Sequence, residues 1–183
     1  MSREDHLKLV KKHVQNKNLI KHMIATEKVL EELAHYFNED REKWAAAGLL
    51  HDIDYDSTAE NPHMHGLIGA DILEKEGFDD QVVYAVKAHN PAHKLQRNSN
   101  LDKALYCTDP ITGLIVASAL IHPEKKLNSI DDEFVLKRFK EKQFAKGANR
   151  HQISACSELG LSLERFISLA LNAMQKNHKE LGL

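Results

Sequence analysis

Cysteine is scarce in these 183 residues, and the two that occur, Cys107 and Cys156, stand far apart and form no CxxC pair. Their scarcity excludes a disulfide framework and a zinc–thiolate site, and leaves two buried free thiols as the expectation. Excess charge of either sign is missing too: 25 Lys and Arg stand against 27 Asp and Glu, a formal net charge of -2. That balance excludes a nucleic-acid coat or a disordered tail, and no specific DNA partner is expected. The opening "MSREDHLKLVKKH" lacks the apolar core of a signal peptide, and no later apolar run is expected to reach the roughly 20 residues that span a bilayer. A cytoplasmic location with no membrane partner is the reading. There is no alternating strand pattern, no low-complexity linker and no repeat at a solenoid period.

What is present is helical periodicity around enough apolar residues, 42% of the chain, for one sizeable core. The fold class expected is all-α. "NLIKHMIATEKVLEELAHYF" sets Leu19, Met23, Leu30 and Leu33 on one face, and "EDREKWAAAGLL" continues with Trp44 and small residues suited to close helix contact. After the polar "DYDSTAENP", the pair Asn61-Pro62 predicts a helix start, with a helix through "HMHGLIGADILEKEG" ending at Gly77. Asp79 or Asp80 can cap "QVVYAVKAH", which must stop by Asn90 because Pro91 follows. "LDKALYCTDPITGLIVASALI" predicts a long apolar helix, interrupted or kinked at Pro110. Beyond Pro123 the helices become more charged, with Ser129, Asn149 and Ser162 as start signals. Residues 1–122 are therefore expected to form a helical core, with 123–183 as a helical extension packed on it in the same compact unit.

The unusual count is histidine, 12 in all. In "AAAGLLHDIDYD" a small-residue helix ends in His51 and Asp52, which puts a carboxylate at the negative end of a helix dipole with no lysine near in sequence to offset it. A metal ion would offset it. His22 shares a stripe with Thr26, Val29 and Leu33, His89 one with Val82 and Val86, and His65 one with Gly69 and Ile72. Singly, each has an ordinary explanation: a core histidine, a cation in a last helical turn, and, for Asp109 before Pro110, a helix N-cap. Together they are costly to bury unless they share a cation, and an imidazole–carboxylate set without thiolates suits manganese, iron, cobalt, nickel or magnesium better than a structural zinc–cysteine site.

The order His22, then His51-Asp52, then Asp109 resembles the signature of the HD-domain metal-dependent phosphohydrolase superfamily, over residues 18–120. The resemblance implies an all-α HD-domain helical bundle in which His22, His51, Asp52 and Asp109 hold one divalent ion. His65 and His89 match the two further histidines of binuclear members, with Asp52 as the bridge, so one or two ions are expected, zinc being a further candidate. It also implies hydrolysis of a phosphoester or phosphoanhydride of a nucleotide or other small phosphorylated metabolite, by attack of a water activated at the ions. The chain lacks the Gly-Tyr-Pro signature of cyclic-dinucleotide phosphodiesterases, and Ile53 and Asp54 follow the His-Asp pair where dinucleoside polyphosphate hydrolases carry a lysine. No subfamily is therefore indicated.

Asp52 and Asp54 are the catalytic candidates, Asp54 as a proton acceptor or holder of a water, or else a solvated loop acid. Lys87, Lys94 and Arg138 are candidate phosphate contacts. Arg138 belongs to a cluster with Lys137, Lys140, Lys142, Lys146 and Arg150 that could guide an anion or serve as a solvated face. The competing readings are a metal- and nucleotide-binding sensor without turnover and a purely structural helical module.

Overall fold

A computed structural model describes residues 1–183, and it contains α-helices, short 3₁₀ turns and no strand. The first half runs α1 (Arg3–His13), α2 (Lys17–Phe37), α3 (Arg41–Leu50), α4 (Tyr55–Thr58), α5 (Leu67–Lys75) and α6 (Asp80–His89). The second runs α7 (Asn100–Ile121), α8 (Asp132–Lys140), α9 (Arg150–Ser154), α10 (Leu163–Lys176) and α11 (His178–Leu181).

Local chemistry explains where these helices begin. Ser2 and Asp5 form a reciprocal capping box on α1, and the Asn16 side chain accepts from the Asn18 and Leu19 amides at the head of α2. Asp40, Asp79, Ser99, Asp131, Asn149 and Ser162 cap α3, α6, α7, α8, α9 and α10 in the same way. Ser129, expected to start α8, instead donates its hydroxyl to Glu124 within a turn, and the helix begins two residues later than predicted.

One cluster of 42 buried apolar residues runs from Val10 to Leu181. Met23, Leu30 and Leu33 of α2 lie at its centre, fully buried, and α3 makes its most extensive contact with α2. That contact is backbone to backbone at Gly48, where an added Cβ would stand 2.8 Å from the Glu27 backbone. Only glycine lets α3 approach so closely. Glu27 is itself buried and answered by Arg3, whose Nε and Nη2 donate to it at 2.5 and 2.7 Å, tying α1 onto α2.

Two expectations are corrected. The helix foreseen from Asn61-Pro62 starts only at Leu67, because residues 62–66 are held in a turn: Asn90 Nδ2 donates to the carbonyls of Pro62 and His65, and Gly66 takes a left-handed φ of 84°. α7 is not interrupted at Pro110, one of the two outcomes expected there, but runs through it for 22 residues, so Asp109 lies inside a helix rather than at an N-cap. By length and composition α7 could cross a bilayer, where no such run was expected; most of it is buried, packed against α2, α6, α8, α9 and α10.

The residues beyond 122 lie on the same core: α10 buries Phe166, Ile167, Ala170 and Met174 against α2, α7 and α8. Arg150 is a pin rather than surface charge. Its guanidinium donates to six carbonyls, those of Arg138, Phe139, Glu141, Phe144, Ala145 and Ala148, and so fixes the loop from α8 to α9. Both cysteines are buried and free.

Candidate metal centre

The end of α3 supplies the centre of the site. His51 is the C-cap residue, and its Nδ1 donates to the Gly48 carbonyl at 2.8 Å, which satisfies an otherwise orphan carbonyl of the last turn. The ring is thereby turned so that Nε2 faces α2 and α7. There it meets His22 Nε2 at 3.2 Å, Asp52 Oδ2 at 3.4 Å and Asp109 Oδ1 at 3.8 Å. His22 Nε2 is in turn 3.5 Å from Asp52 Oδ2 and 3.2 Å from Asp109 Oδ1.

A second cluster uses the other oxygen of Asp52. Oδ1 lies 3.3 Å from His65 Nε2 and 3.7 Å from His89 Nε2, and the two imidazole nitrogens are 3.0 Å apart. His89 closes α6, and His65 projects from the turn before α5, not from a helix face. Ligands about 2.0–2.2 Å from a divalent ion stand roughly 2.8–3.6 Å from one another, and the separations in the two clusters run from 3.0 to 3.8 Å, most of them inside that range.

All four rings are oriented alike from behind. His22 Nδ1 lies 3.0 Å from Thr112 Oγ1, whose own hydrogen goes to the Asp109 carbonyl at 2.9 Å, so the ring donates and the hydroxyl accepts. His89 Nδ1 donates to the Val86 carbonyl at 2.5 Å, and His65 Nδ1 to Asp54 Oδ1 at 2.8 Å. With each Nδ1 committed as a donor, each neutral imidazole presents its Nε2 lone pair inward. Lone pairs facing each other at 3.0–3.2 Å repel unless a cation lies between them, and the donor set fits one or two divalent ions.

Without such ions, protons and charge pairs take up the tension. Burial alone would lower the His51 pKa, but the Asp52 and Asp109 carboxylates outweigh it and raise the group to about 9. His65 is raised against its burial by Asp54 and Asp52. Burial would raise both Asp52 and Asp109, yet the surrounding imidazoles hold them well below the ordinary carboxylate range.

Each sequence-predicted residue can now be placed. His22, His51, Asp52, Asp109, His65 and His89 come together from α2, α3, α7, the turn before α5 and α6. Asp54 is not a solvated loop acid. Its side chain is fully buried, Oδ1 holds His65, and Oδ2 accepts from the Gly66 and Gly69 amides at 2.8 and 2.7 Å. Lys87 is half-buried on α6, and Lys94 lines a separate cavity of about 250 Å³ with Arg97, Tyr106 and His151. Arg138 pairs with Glu141 at 2.9 Å and lies against the Phe134 and Phe144 rings, in contact with none of the six ligands. A cavity of about 660 Å³ among Lys140, Lys142, Lys146 and His151 is likewise lined by none of the six ligand residues.

Sequence reasoning missed Thr112, Asn90 and His93. Thr112 stands one turn after Asp109, a spacing that could have suggested it. Asn90 and His93 act on the His65 carbonyl across more than 20 residues, at 2.9 and 2.8 Å, and left no local signal.

Comparison with known proteins agrees with this geometry. The family model described as HD domain matches residues 19–158. The tRNA (cytidine(56)-2'-O)-methyltransferase of Thermoplasma volcanium is 36% identical over 83 residues, 45% of this chain and 24% of that protein. Ribonuclease Y of Frankia casuarinae is 48% identical over 44 residues, 24% of this chain and 7% of that one. Ribonuclease Y of Nitratidesulfovibrio vulgaris is 35% identical over 77 residues, 41% and 14%. The chain thus spans less than a quarter of the length of these relatives. No solved structure matches it.

Proposed function

The chain belongs to the HD-domain family, and from that premise we propose that it is a metal-dependent phosphohydrolase cleaving a phosphoester or phosphoanhydride bond of a nucleotide or other small phosphorylated metabolite. The observation that carries this reading is the convergence of four imidazole Nε2 atoms on Asp52, one pair at each carboxylate oxygen. Divalent ions held there would supply Lewis acidity toward a phosphoryl oxygen and bring the pKa of water toward neutrality. His22, His51, Asp52 and Asp109 would hold the first, and Asp52, His65 and His89 the second.

The remaining work falls to the chain's own groups. Asp52 spans both clusters and fixes their separation, which sets how a phosphate can sit across them. Thr112, Gly48, Val86 and Asp54 keep the rings from turning, so no reorganisation is needed as charge develops. Asp54 is therefore a positioning residue for His65. His51 and His89 form the buried floor, while His22, Asp109 and His65 retain some exposure and make the open side from which substrate enters. Two relatives named Ribonuclease Y support phosphoryl chemistry on such a site.

The test is turnover of 4-nitrophenyl phosphate and bis(4-nitrophenyl) phosphate by protein stripped with a chelator and reloaded with manganese. Activity should vanish on stripping, return on reloading, and fall by about a thousandfold or more in Asp52→Ala. Full turnover by the stripped protein, or by Asp52→Ala, contradicts the proposal. A sensor without turnover would bind phosphate at the loaded centre and hydrolyse neither ester.

A further inference from the structure

Gly113 lies in the interior of α7, where glycine weakens a helix relative to alanine, and nothing in the protein requires it. Its backbone is ordinary helix, and an added Cβ would meet no atom within 4 Å. That sets it apart from Gly48, which is needed for close packing. Gly113 follows Asp109 by one turn and faces a groove between α2 and α7, a cavity of about 370 Å³ lined also by His22, Thr112, Val116 and Leu120. The volume is in the range of small-molecule sites. His22 is the one metal-ligand side chain that lines the cavity, and at Gly113, itself exposed, the α7 wall between Thr112 and Val116 is bare backbone.

The walls differ in chemistry. Away from His22 they are apolar: Val116, Leu120 and, from the end of the chain, Leu181 and Leu183. Leu120 is 48% exposed and stands two turns beyond Gly113 on α7. The α2 side offers Asn18 and Lys21, the latter reaching across toward Gly182.

We propose that this groove receives the organic moiety of the substrate, with Gly113 kept small so that a flat, largely apolar group can lie against α7 while its phosphate reaches the centre at His22 and Asp109. The substrate class is then an organic phosphate ester carrying a bulky, weakly polar group of about nucleoside size, with Lys21 placed for one further anionic group, rather than inorganic pyrophosphate or a bare polyphosphate. This rests on the phosphohydrolase reading above.

The experiment uses the full chain loaded with manganese, the variants Gly113→Ala, Gly113→Phe and Leu120→Glu, and two probes: 4-nitrophenyl phosphate for turnover and inorganic phosphate for binding at the centre by calorimetry. Gly113→Phe should lower kcat/KM for the aryl ester by about tenfold or more, mainly through KM, with metal content and phosphate affinity unchanged. Gly113→Ala should have a smaller effect together with a higher Tm. Leu120→Glu, at an exposed position, should raise KM in the same direction and keeps the test open if the phenylalanine variant folds poorly. Unchanged KM in Gly113→Phe and Leu120→Glu overturns the groove and leaves the hydrolase standing. A parent that turns over no ester and binds no phosphate overturns both.

Discussion

At the scale of single residues, the site depends on which ring nitrogen each histidine presents, and that is decided by groups that never touch an ion. Asp54 is the sharpest case, because its carboxylate is the acceptor for His65 Nδ1 and also anchors the Gly66 and Gly69 amides. In Asp54→Asn the amide nitrogen must displace one of these donors, so the second ion should bind about 10–100-fold more weakly while the first is little changed. Competition with a chelating dye reads both constants; equal weakening of the two would show that Asp54 serves the fold and not His65. The pH dependence follows from the same rings. In the ion-free protein burial disfavours the His51 cation, but Asp52 and Asp109 outweigh it and hold the proton up to about 9. Below that value a proton must leave before the nitrogen can bind an ion, and above it none does. Affinity should therefore rise with pH, by about tenfold per unit through the neutral range for one displaced proton, and flatten above about 9. Calorimetry in buffers of different ionisation enthalpy measures the proton released.

At the scale of elements, the ligands meet because α3 is pressed onto α2 at Gly48, whose carbonyl also orients His51. Gly48→Ala forces a Cβ against the Glu27 backbone and should cost about 1–3 kcal/mol in unfolding free energy while also loosening the first ion site. Denaturant unfolding measures the first effect and the dye competition the second; a variant as stable as the parent would contradict the close approach. The elements also show what was legible in the sequence. α2 and α3 followed from apolar and small-residue spacing and α6 from its acidic cap and the proline that follows it, and the ligands they carry were recognised from their order along the chain. The turn holding His65 was misplaced because Asn61-Pro62 is a sound local helix start, overruled by Asn90 from a distant segment. An interruption or a kink was expected at Pro110 because its local cost is visible in sequence, whereas the packing around α7 that sustains the helix through it is not. The carbonyl cage of Arg150 was hidden for the same reason: it exists only once the loop has folded around it.

At the scale of the whole molecule, a single apolar core carries six ligand side chains, and they come from segments as far apart as His22 and Asp109. A centre assembled that way should stabilise the fold when loaded, since ions bind the folded chain and not the unfolded one. The α-class was readable from periodicity, and the residues of both clusters from their resemblance to a family signature, but the groove beside His22 and the part played by Thr112 required the three-dimensional arrangement. The most direct test of the central claim is elemental analysis of gently purified protein, as metal per chain, for the parent, His22→Ala and His65→Ala. About two ions in the parent, about one in His65→Ala and loss of the first-site ion in His22→Ala are expected from a carboxylate shared between two imidazole pairs. No ion bound by the parent, even after manganese or iron is supplied, would contradict it.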